Sequence, residues 1–266
     1  MPALVAAGFV LSAAVTLLLA TAGESERFLS RPTPTASSQE VAADAAEALP
    51  PSETGAFAFW GMDHRDGPLR WDACEPITFA LSAVDAPAHA EEDLRRAMAI
   101  LARASGLELV LAEPTEERPA RDRPLVERDG DGWRWRPVLV AWVDPDTTDV
   151  PLTPLDRGLA LPVAVRAGDR EAFVTGQLVI NARRTDLRAG FGDRSDAVGA
   201  TLIHELGHIL GLDHVADPSE LMSVDPGVGP VTLGPGDRAG LRAVGAAAGC
   251  NPAPPATTGR GLVAAR

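Results

Sequence analysis

Residues 204–214, HELGHILGLDH, combine residue types and spacings that can carry out catalysis. His204 and His208 are four residues apart, so on a helix their imidazoles lie on one face and can hold a single metal ion. Glu205 is rotated by about 100° around the helix axis from His204. From that position its carboxylate can reach a water on the metal without binding the metal itself.

A third histidine follows the predicted helix. Gly211 lies three residues after His208, where a residue with positive φ ends a helix at low energetic cost. The chain can then turn back and bring His214 to the same ion. Three neutral imidazoles and one water form the open tetrahedral zinc site of a hydrolase, whereas structural zinc sites use four protein ligands. We therefore predict one catalytic Zn²⁺ ion on the three histidines, with Glu205 as the general base.

A core helix with hydrogen-bonded histidines is the alternative interpretation. However, the motif holds three of only five histidines in 266 residues, and a core helix does not explain that clustering. The other two, His64 and His89, lie in unrelated contexts. We expect them at the surface and predict no second zinc site.

The motif is similar to the HExxHxxGxxH signature of the metzincin metallopeptidases, and GLDH resembles the matrixin branch. The lysine-free, alanine-rich composition suggests a bacterial member. The resemblance implies a methionine turn beneath the zinc, and Met222 in PSELMSV has the matrixin spacing from His214. It also implies an α+β fold, with a twisted mixed β-sheet, an active-site helix, a second long helix and a small C-terminal helical subdomain.

The resemblance implies a zinc-dependent endopeptidase, a hydrolase in which zinc-activated water attacks the peptide bond. It makes 176–180 the strand expected to pair with an extended protein or peptide substrate. Two departures concern the substrate pocket. Val215 stands where matrixins usually carry serine, and 223–226 (SVDP) replaces their Pro-x-Tyr wall. The side-chain preference of the family therefore does not transfer.

Two other functions are compatible with the motif. A zinc-stabilised binding or regulatory module without turnover needs the histidines but not Glu205, so the presence of Glu205 favours an enzyme. A zinc amidohydrolase acting on a non-peptide amide needs the same residues, because the motif specifies the attacking water more strongly than the acyl group.

Hydrophobic periodicity places regular elements around the motif. Asp196 is the predicted N-cap of the helix that carries His204 and His208. The predicted strands are 77–79, 107–111, 138–143 and 173–180, and the predicted helices are 91–104, 196–210 and 235–247.

The first part of the chain is predicted to direct export. Residues 3–22 are uncharged and end in Ala20-Thr21-Ala22, the form of a signal-peptidase site. We expect 1–22 to be a signal peptide or a membrane anchor. The protein is then secreted, or held at the outer face of the cytoplasmic membrane if the segment stays uncleaved. Residues 23–56 are predicted to be a flexible linker or short propeptide, 57–250 the catalytic domain and 251–266 a disordered tail.

Charge and cysteine content narrow the partners further. The net charge of −13 argues against a nucleic-acid partner, since phosphate binding needs a basic face. Export permits a disulfide between Cys74 and Cys250, which we expect, with two buried free thiols as the alternative. Calcium could bind the acids at 144, 146 and 149, but spaced loop acids are usually solvated, and no calcium site is assigned.

Overall fold

The computed structural model describes residues 55–184, 187–192, 197–224, 231–257 and 263–264, so the predicted segment 1–22 and most of 23–56 lie outside the described residues. Within them the chain is α+β, with a mixed sheet and three α-helices, which confirms the predicted class. The helices are α1 (Ala90–Ser105), α2 (Val198–Leu210) and α3 (Pro235–Val244). The strands are β1 (Ala58–Phe59), β2 (Ile77–Leu81), β3 (Leu109–Leu111), β4 (Val126–Asp129), β5 (Gly132–Trp135), β6 (Val138–Val143), β7 (Gly158–Ala167), β8 (Arg170–Asn181), β9 (Leu212–Asp213) and β10 (Val263–Ala264).

Six of these strands form one sheet in the order β10-β7-β8-β6-β2-β3. Strands β3, β2, β6 and β8 are parallel, and β7 runs antiparallel to β8. Helix α1 is the crossover between the parallel strands β2 and β3, as parallel pairing requires. It ends at Gly106, whose φ of 71° allows the left-handed turn.

The core lies on the helical face of the sheet. Strand residues Phe79 and Leu178 pack there with Leu94 of α1 and Leu206 of α2, all of them without solvent exposure. Successive side chains of a strand point to opposite faces of the sheet, so every second side chain of β6 faces away from this core. That second face is covered by the connection from β6 to β7, through Val150 and Leu152, and by Ala253.

The predicted substrate strand 176–180 belongs to β8, and the expectation that it pairs with a substrate is wrong. β8 lies inside the sheet, where Gln177 is opposite Leu161 of β7 on one side and Leu139 of β6 on the other. Both backbone edges are therefore occupied. The strand with an outer edge near the histidine motif is β7, which the sequence analysis did not predict.

Two helix boundaries also differ from the predictions. Helix α2 begins at Val198 after Ala197, and Asp196 lies outside the described residues. Helix α3 ends at Val244 instead of Ala247, and a short 3₁₀ turn, Ala246–Ala248, follows it. A Cβ on Gly245 would lie 2.0 Å from the Ser105 carbonyl oxygen, so the helix stops where its backbone meets the end of α1.

Cys74 and Cys250 form a disulfide that joins positions 176 residues apart. In the chain-entropy model, closing so long a loop stabilises the fold by roughly 4–5 kcal/mol. The described residues after the disulfide depart from the expected disordered tail. Ala253 and Ala256 are buried, and Trp135 Nε1 donates to the Pro254 carbonyl at 2.9 Å. Burial of these small side chains against the sheet offsets the ordering entropy.

Candidate metal centre

The helix that carries the motif is buried along its whole length, with every residue from Val198 to Leu210 inaccessible or nearly so. Such a helix presents polar side chains only where they have partners. His204 and His208 are one turn apart, with ring centroids separated by 4.8 Å. Both rings are buried, so the sequence places two imidazoles side by side in a nearly dry interior.

The chain returns to these rings through a sharp turn. Gly211 ends α2 with a φ of 109°, and a Cβ there would lie 3.1 Å from the Leu69 carbonyl oxygen. The next two residues form β9, which pairs antiparallel with β1. Asp213 Oδ1 accepts a hydrogen bond from the His214 backbone at 2.7 Å. This carboxylate therefore fixes the turn that presents His214.

The three histidines meet at their Nε2 atoms. The distances are 3.1 Å between His204 and His214, 3.2 Å between His204 and His208, and 3.3 Å between His208 and His214. His204 Nδ1 lies 2.8 Å from the Leu221 carbonyl oxygen and His208 Nδ1 lies 2.9 Å from that of Leu212. A carbonyl only accepts, so in both rings the proton is on Nδ1 and the Nε2 lone pair points inward. The triad can hold a metal ion.

Burial also keeps the triad uncharged. It lowers the pKa of His204 from 6.5 to about 4, an effect that the Leu221 carbonyl opposes and His214 adds to. The pKa of His208 is lowered well below 6.5 for the same reason, with added repulsion from the other two rings. Burial likewise lowers the pKa of His214, against an opposing effect of Asp213. Neutral imidazoles are the form that binds metal.

Glu205 points away from its histidine neighbours towards strand β7. A Cβ on Gly158 would lie 2.8 Å from Glu205 Cγ and 3.1 Å from its Oε1, so only glycine leaves room for this carboxyl group. Burial raises the pKa of Glu205 from 4.5 to about 8, and the nearby charge of Asp156 adds to the effect. The Ala160 backbone opposes it by donating a hydrogen bond to the carboxylate. A titratable group with such a pKa in a buried site is suited to proton transfer.

The floor of the centre contains Met222, which is 2% exposed. Its sulfur packs on Gly207 of α2, where an added Cβ would lie 2.7 Å from Sδ. The Met222 carbonyl accepts a hydrogen bond from Val215, immediately after His214, at 2.9 Å. The methionine therefore contacts both the helix and the return segment that carry the three histidines.

Two fully buried carboxylates anchor this floor to α3. Asp237 accepts hydrogen bonds from the backbones of Leu221, at 2.6 Å, and Met222, at 3.2 Å. Asp237 is thus both a carboxylate in the first turn of α3 and part of a hydrogen-bond network below the site. Glu220 was missed. Its carboxylate accepts from the Gly236 and Asp237 backbones at 2.9 and 3.0 Å, near the positive end of α3. The sequence signal that could have identified Glu220 is its position immediately before Leu221 and Met222.

Two tryptophans that the sequence analysis did not connect with the site also support it. The Trp60 ring packs edge-on against His208, with centroids 5.1 Å apart, and the Trp60 backbone donates to the Gly211 carbonyl at 2.9 Å. Trp71 Nε1 donates to the Ile209 carbonyl, near the end of α2, at 2.7 Å. The contact of Trp60 with His208 depends on the long-range pairing of β1 with β9, so local sequence patterns do not predict it.

Other candidate residues lie outside the centre. His64 pairs with Glu171 and His89 pairs with Asp93, each at 2.7 Å, and both histidines are partly exposed. Arg183 forms ion pairs with two of the spaced acids, Asp144 and Asp146, while Asp149 accepts from the Arg121 backbone. No described helix is long and apolar enough to cross a membrane.

A search of protein-family models finds no match to this chain, and a search of curated proteins finds none either.

Proposed function

We propose that this protein is a zinc-dependent endopeptidase of the metzincin type, with His204, His208 and His214 as zinc ligands and Glu205 as the general base. The observation that carries the proposal is the convergence of three neutral imidazoles on one point. Their Nε2 atoms are 3.1–3.3 Å apart. Tetrahedral zinc with bonds of about 2.0–2.1 Å requires nitrogen atoms about 3.3 Å apart, so the triad fits this ion closely.

The donor set supports zinc in two further ways. Lone pairs that face one another repel unless a cation lies between them, and the carbonyls of Leu221 and Leu212 hold the rings in this orientation. Three imidazoles also leave a fourth position open. That arrangement is typical of a catalytic zinc site. A bound zinc ion supplies a Lewis acid that polarises the substrate carbonyl and lowers the pKa of a water towards about 7.

Glu205 moves the proton in the proposed reaction. Its carboxylate accepts a proton from the attacking water and later donates it to the nitrogen of the leaving amine. Burial, with the added charge of Asp156, raises its pKa to about 8, and a cation on the triad lowers that value by favouring the carboxylate.

The outer edge of β7 is the surface we propose for the substrate backbone. Among the described residues, β10 pairs only with Val165 and Arg166, and no strand pairs with the outer edge of 158–164. This stretch begins at Gly158, which packs against Glu205. An extended peptide added to this edge runs directly past the general base. Pro162, which lacks an N–H, is tolerated in such an edge strand.

Two observations favour the metzincin type in particular. Met222 lies beneath the ligand helix, in contact with Gly207, as the resemblance of the motif to that family implies. Over residues 158–164 the edge of the sheet is also formed by β7, an antiparallel strand that lies beside the general base. We further propose that the protein works outside the cytoplasm, since its sequence begins with an uncharged apolar run and its disulfide suits an oxidising compartment.

The metal-binding module without turnover is less well supported. Such a module has no need to keep a glycine at 158 or a hydrogen bond from Ala160 to Glu205, yet both are present. The amidohydrolase alternative shares all of these features. An extended β7 edge favours a peptide over a small amide, because it offers backbone hydrogen bonds along several residues.

The deciding experiment compares wild type with Glu205→Gln on a mixed peptide library. We expect wild type to cleave peptides, the variant to lose nearly all cleavage, and both to bind about one zinc per chain. Binding of zinc by both without cleavage by either contradicts the peptidase proposal and supports the binding module. Cleavage of small amides but not peptides by wild type supports the amidohydrolase.

A further inference from the structure

An apolar side chain is displayed close to the general base. Leu155 is 85% exposed, more than any other large hydrophobic residue that the structure describes. Burying a leucine stabilises a fold by about 1.5–3 kcal/mol, and this position does not use that stabilisation. A single exposed leucine is common on protein surfaces. Leu155 differs from such residues in its location, close in the chain to the glycine that packs against Glu205, and in the hydrogen bonds that hold its backbone.

Leu155 lies in the turn that leads into β7. Gly158, three residues later, packs against Glu205, and the charge of Asp156 acts on the same carboxyl group. Successive Cα atoms are 3.8 Å apart, so the Leu155 Cα lies within about 11 Å of that of Gly158. A substrate side chain one or two residues from the scissile bond can reach that far.

The backbone of this turn is held from inside by one side chain. Asn181, at the end of β8, is 2% exposed. Its Nδ2 donates to the Asp156 carbonyl at 2.8 Å and lies 3.3 and 3.5 Å from those of Thr153 and Pro154. Its backbone N–H donates to the Arg157 carbonyl at 3.0 Å. A buried side-chain amide with this many partners fixes the path of the chain.

A second side chain holds Leu155 itself. Arg184 Nη1 donates to the Leu155 carbonyl at 2.8 Å. The turn is also closed on itself, because the Thr153 backbone donates to Asp156 Oδ2 at 2.7 Å. The leucine side chain therefore points to solvent from a rigid support. Such support preorganises a contact for a ligand.

We propose that Leu155 is a specificity-determining residue that contacts an apolar side chain of the substrate, and that Asn181 is the positioning residue that holds it there. This inference rests on the peptidase function proposed above. The substrate class is an extended peptide with an apolar residue near the scissile bond. Asn181 Nδ2 holds the turn that carries Leu155, and its Oδ1 accepts a hydrogen bond from the Arg183 backbone at 3.0 Å. Neither contact involves a zinc ligand, so removal of the side chain is expected to displace the leucine and to leave the zinc ligands in place.

The test uses the full chain and matched peptides that carry either leucine or glycine at each position near the scissile bond. Leu155→Ala is expected to lower kcat/KM about tenfold for the best leucine peptide and to leave its glycine counterpart unchanged. Thermal stability and zinc content stay at wild-type values, since the side chain is exposed. Val110→Ala is the matched control, because Val110 is 39% exposed on β3, at the opposite edge of the sheet.

A double-mutant cycle tests the role of Asn181. Asn181→Ala alone is expected to reduce the preference for leucine peptides about as much as Leu155→Ala, and to reduce it little further when Leu155 is already alanine. Additive losses overturn the positioning role. Unchanged leucine preference in Leu155→Ala, with active wild type, overturns the specificity role and leaves the peptidase proposal intact. Absence of cleavage by wild type overturns both.

Discussion

Two regions flank the same glutamate, Glu205, but are built in different ways. One is the metal centre, and the other is the turn 153–157 together with β7, which we call the β7 wall. The proposed ligands and the proposed base come from eleven consecutive residues of a buried helix and its return turn. The wall comes from the turn 153–157 and from β7, which Asn181 and the neighbouring strand hold in place. In the proposed function, the reaction chemistry is therefore encoded locally, whereas substrate contact depends on long-range packing. Substitutions in the two regions should therefore separate metal binding from turnover.

The largest effect is expected from a ligand. His208→Gln removes one imidazole and leaves a neutral side chain in a buried position, so we expect zinc to be lost on purification and peptide cleavage with it. Metal content by mass spectrometry checks this. His89→Gln is the control, since His89 pairs with Asp93 outside the centre. Full zinc content in His208→Gln contradicts the proposed ligand set.

Titration of the metal-free protein tests the burial of the triad. The unfolded chain binds a proton on His204 below about pH 6.5, whereas the folded chain, with a pKa of about 4, does not. The free energy of unfolding therefore falls as the pH drops from 6.5 towards 4, by about 3 kcal/mol from this residue. Glu205 has the opposite sign, because its raised pKa makes the folded state bind the extra proton between 4.5 and about 8.

Metal-free Glu205→Gln isolates the histidine effect. Urea unfolding at several pH values should show a steeper loss of stability towards low pH in this variant than in wild type. Adding His204→Gln should reduce the pH-dependent change in the free energy of unfolding by about 3 kcal/mol. Equal slopes in all three proteins contradict the burial of His204 in its neutral form.

Substitutions in the β7 wall should lower turnover without changing the zinc content. In Gly158→Ala the new Cβ lies 2.8 Å from Glu205 Cγ and displaces the carboxylate, so we expect kcat to fall about a hundredfold at full zinc content. Steady-state kinetics with metal analysis checks this. Gly67→Ala is the matched control, because the Cβ there makes only ordinary contacts of 3.5 Å or more. Loss of zinc in Gly158→Ala argues against the separation of the two regions.

A smaller effect, on stability, is expected from substitutions of Gly207 and Met222 at the floor of the metal centre. Gly207→Ala places a Cβ 2.7 Å from Met222 Sδ and should cost about 1–3 kcal/mol of unfolding free energy through overpacking. The same substitution in a Met222→Ala background should cost less, since the clash is gone. Chemical denaturation of the four proteins measures the coupling. Equal costs in both backgrounds show that Met222 does not fill this space.

The difference between the two regions also explains what could be predicted from sequence. Helix period, the glycine at 211 and the spacing of three histidines are local signals, and they placed His204, His208 and His214 together correctly. β7 was missed because Pro162 interrupts its apolar run, and proline argues against a strand unless the strand is an edge. That exception depends on the order of strands in the sheet, which a local pattern does not contain. The same reason led to the wrong choice of β8 as the substrate strand.

The supports of the site were equally hidden. Trp60 reaches His208 only because β1 pairs with β9, some 150 residues later in the chain. Glu220 and Asp237 act by receiving backbone hydrogen bonds from each other's segments, which a charge pattern does not predict. The tail after Cys250 was expected to be disordered from its prolines, yet the disulfide and small buried side chains hold 251–257 against the sheet.

The most direct test of the central claim is the dependence of activity on bound zinc. The protein is stripped with a chelator, returned stepwise to zinc, and assayed for peptide cleavage and zinc content in the same samples. We predict that activity rises in proportion to bound zinc, reaches its maximum at about one ion per chain, and stays absent in His214→Ala at every step. Cleavage that persists without zinc, or that returns in His214→Ala, contradicts the account.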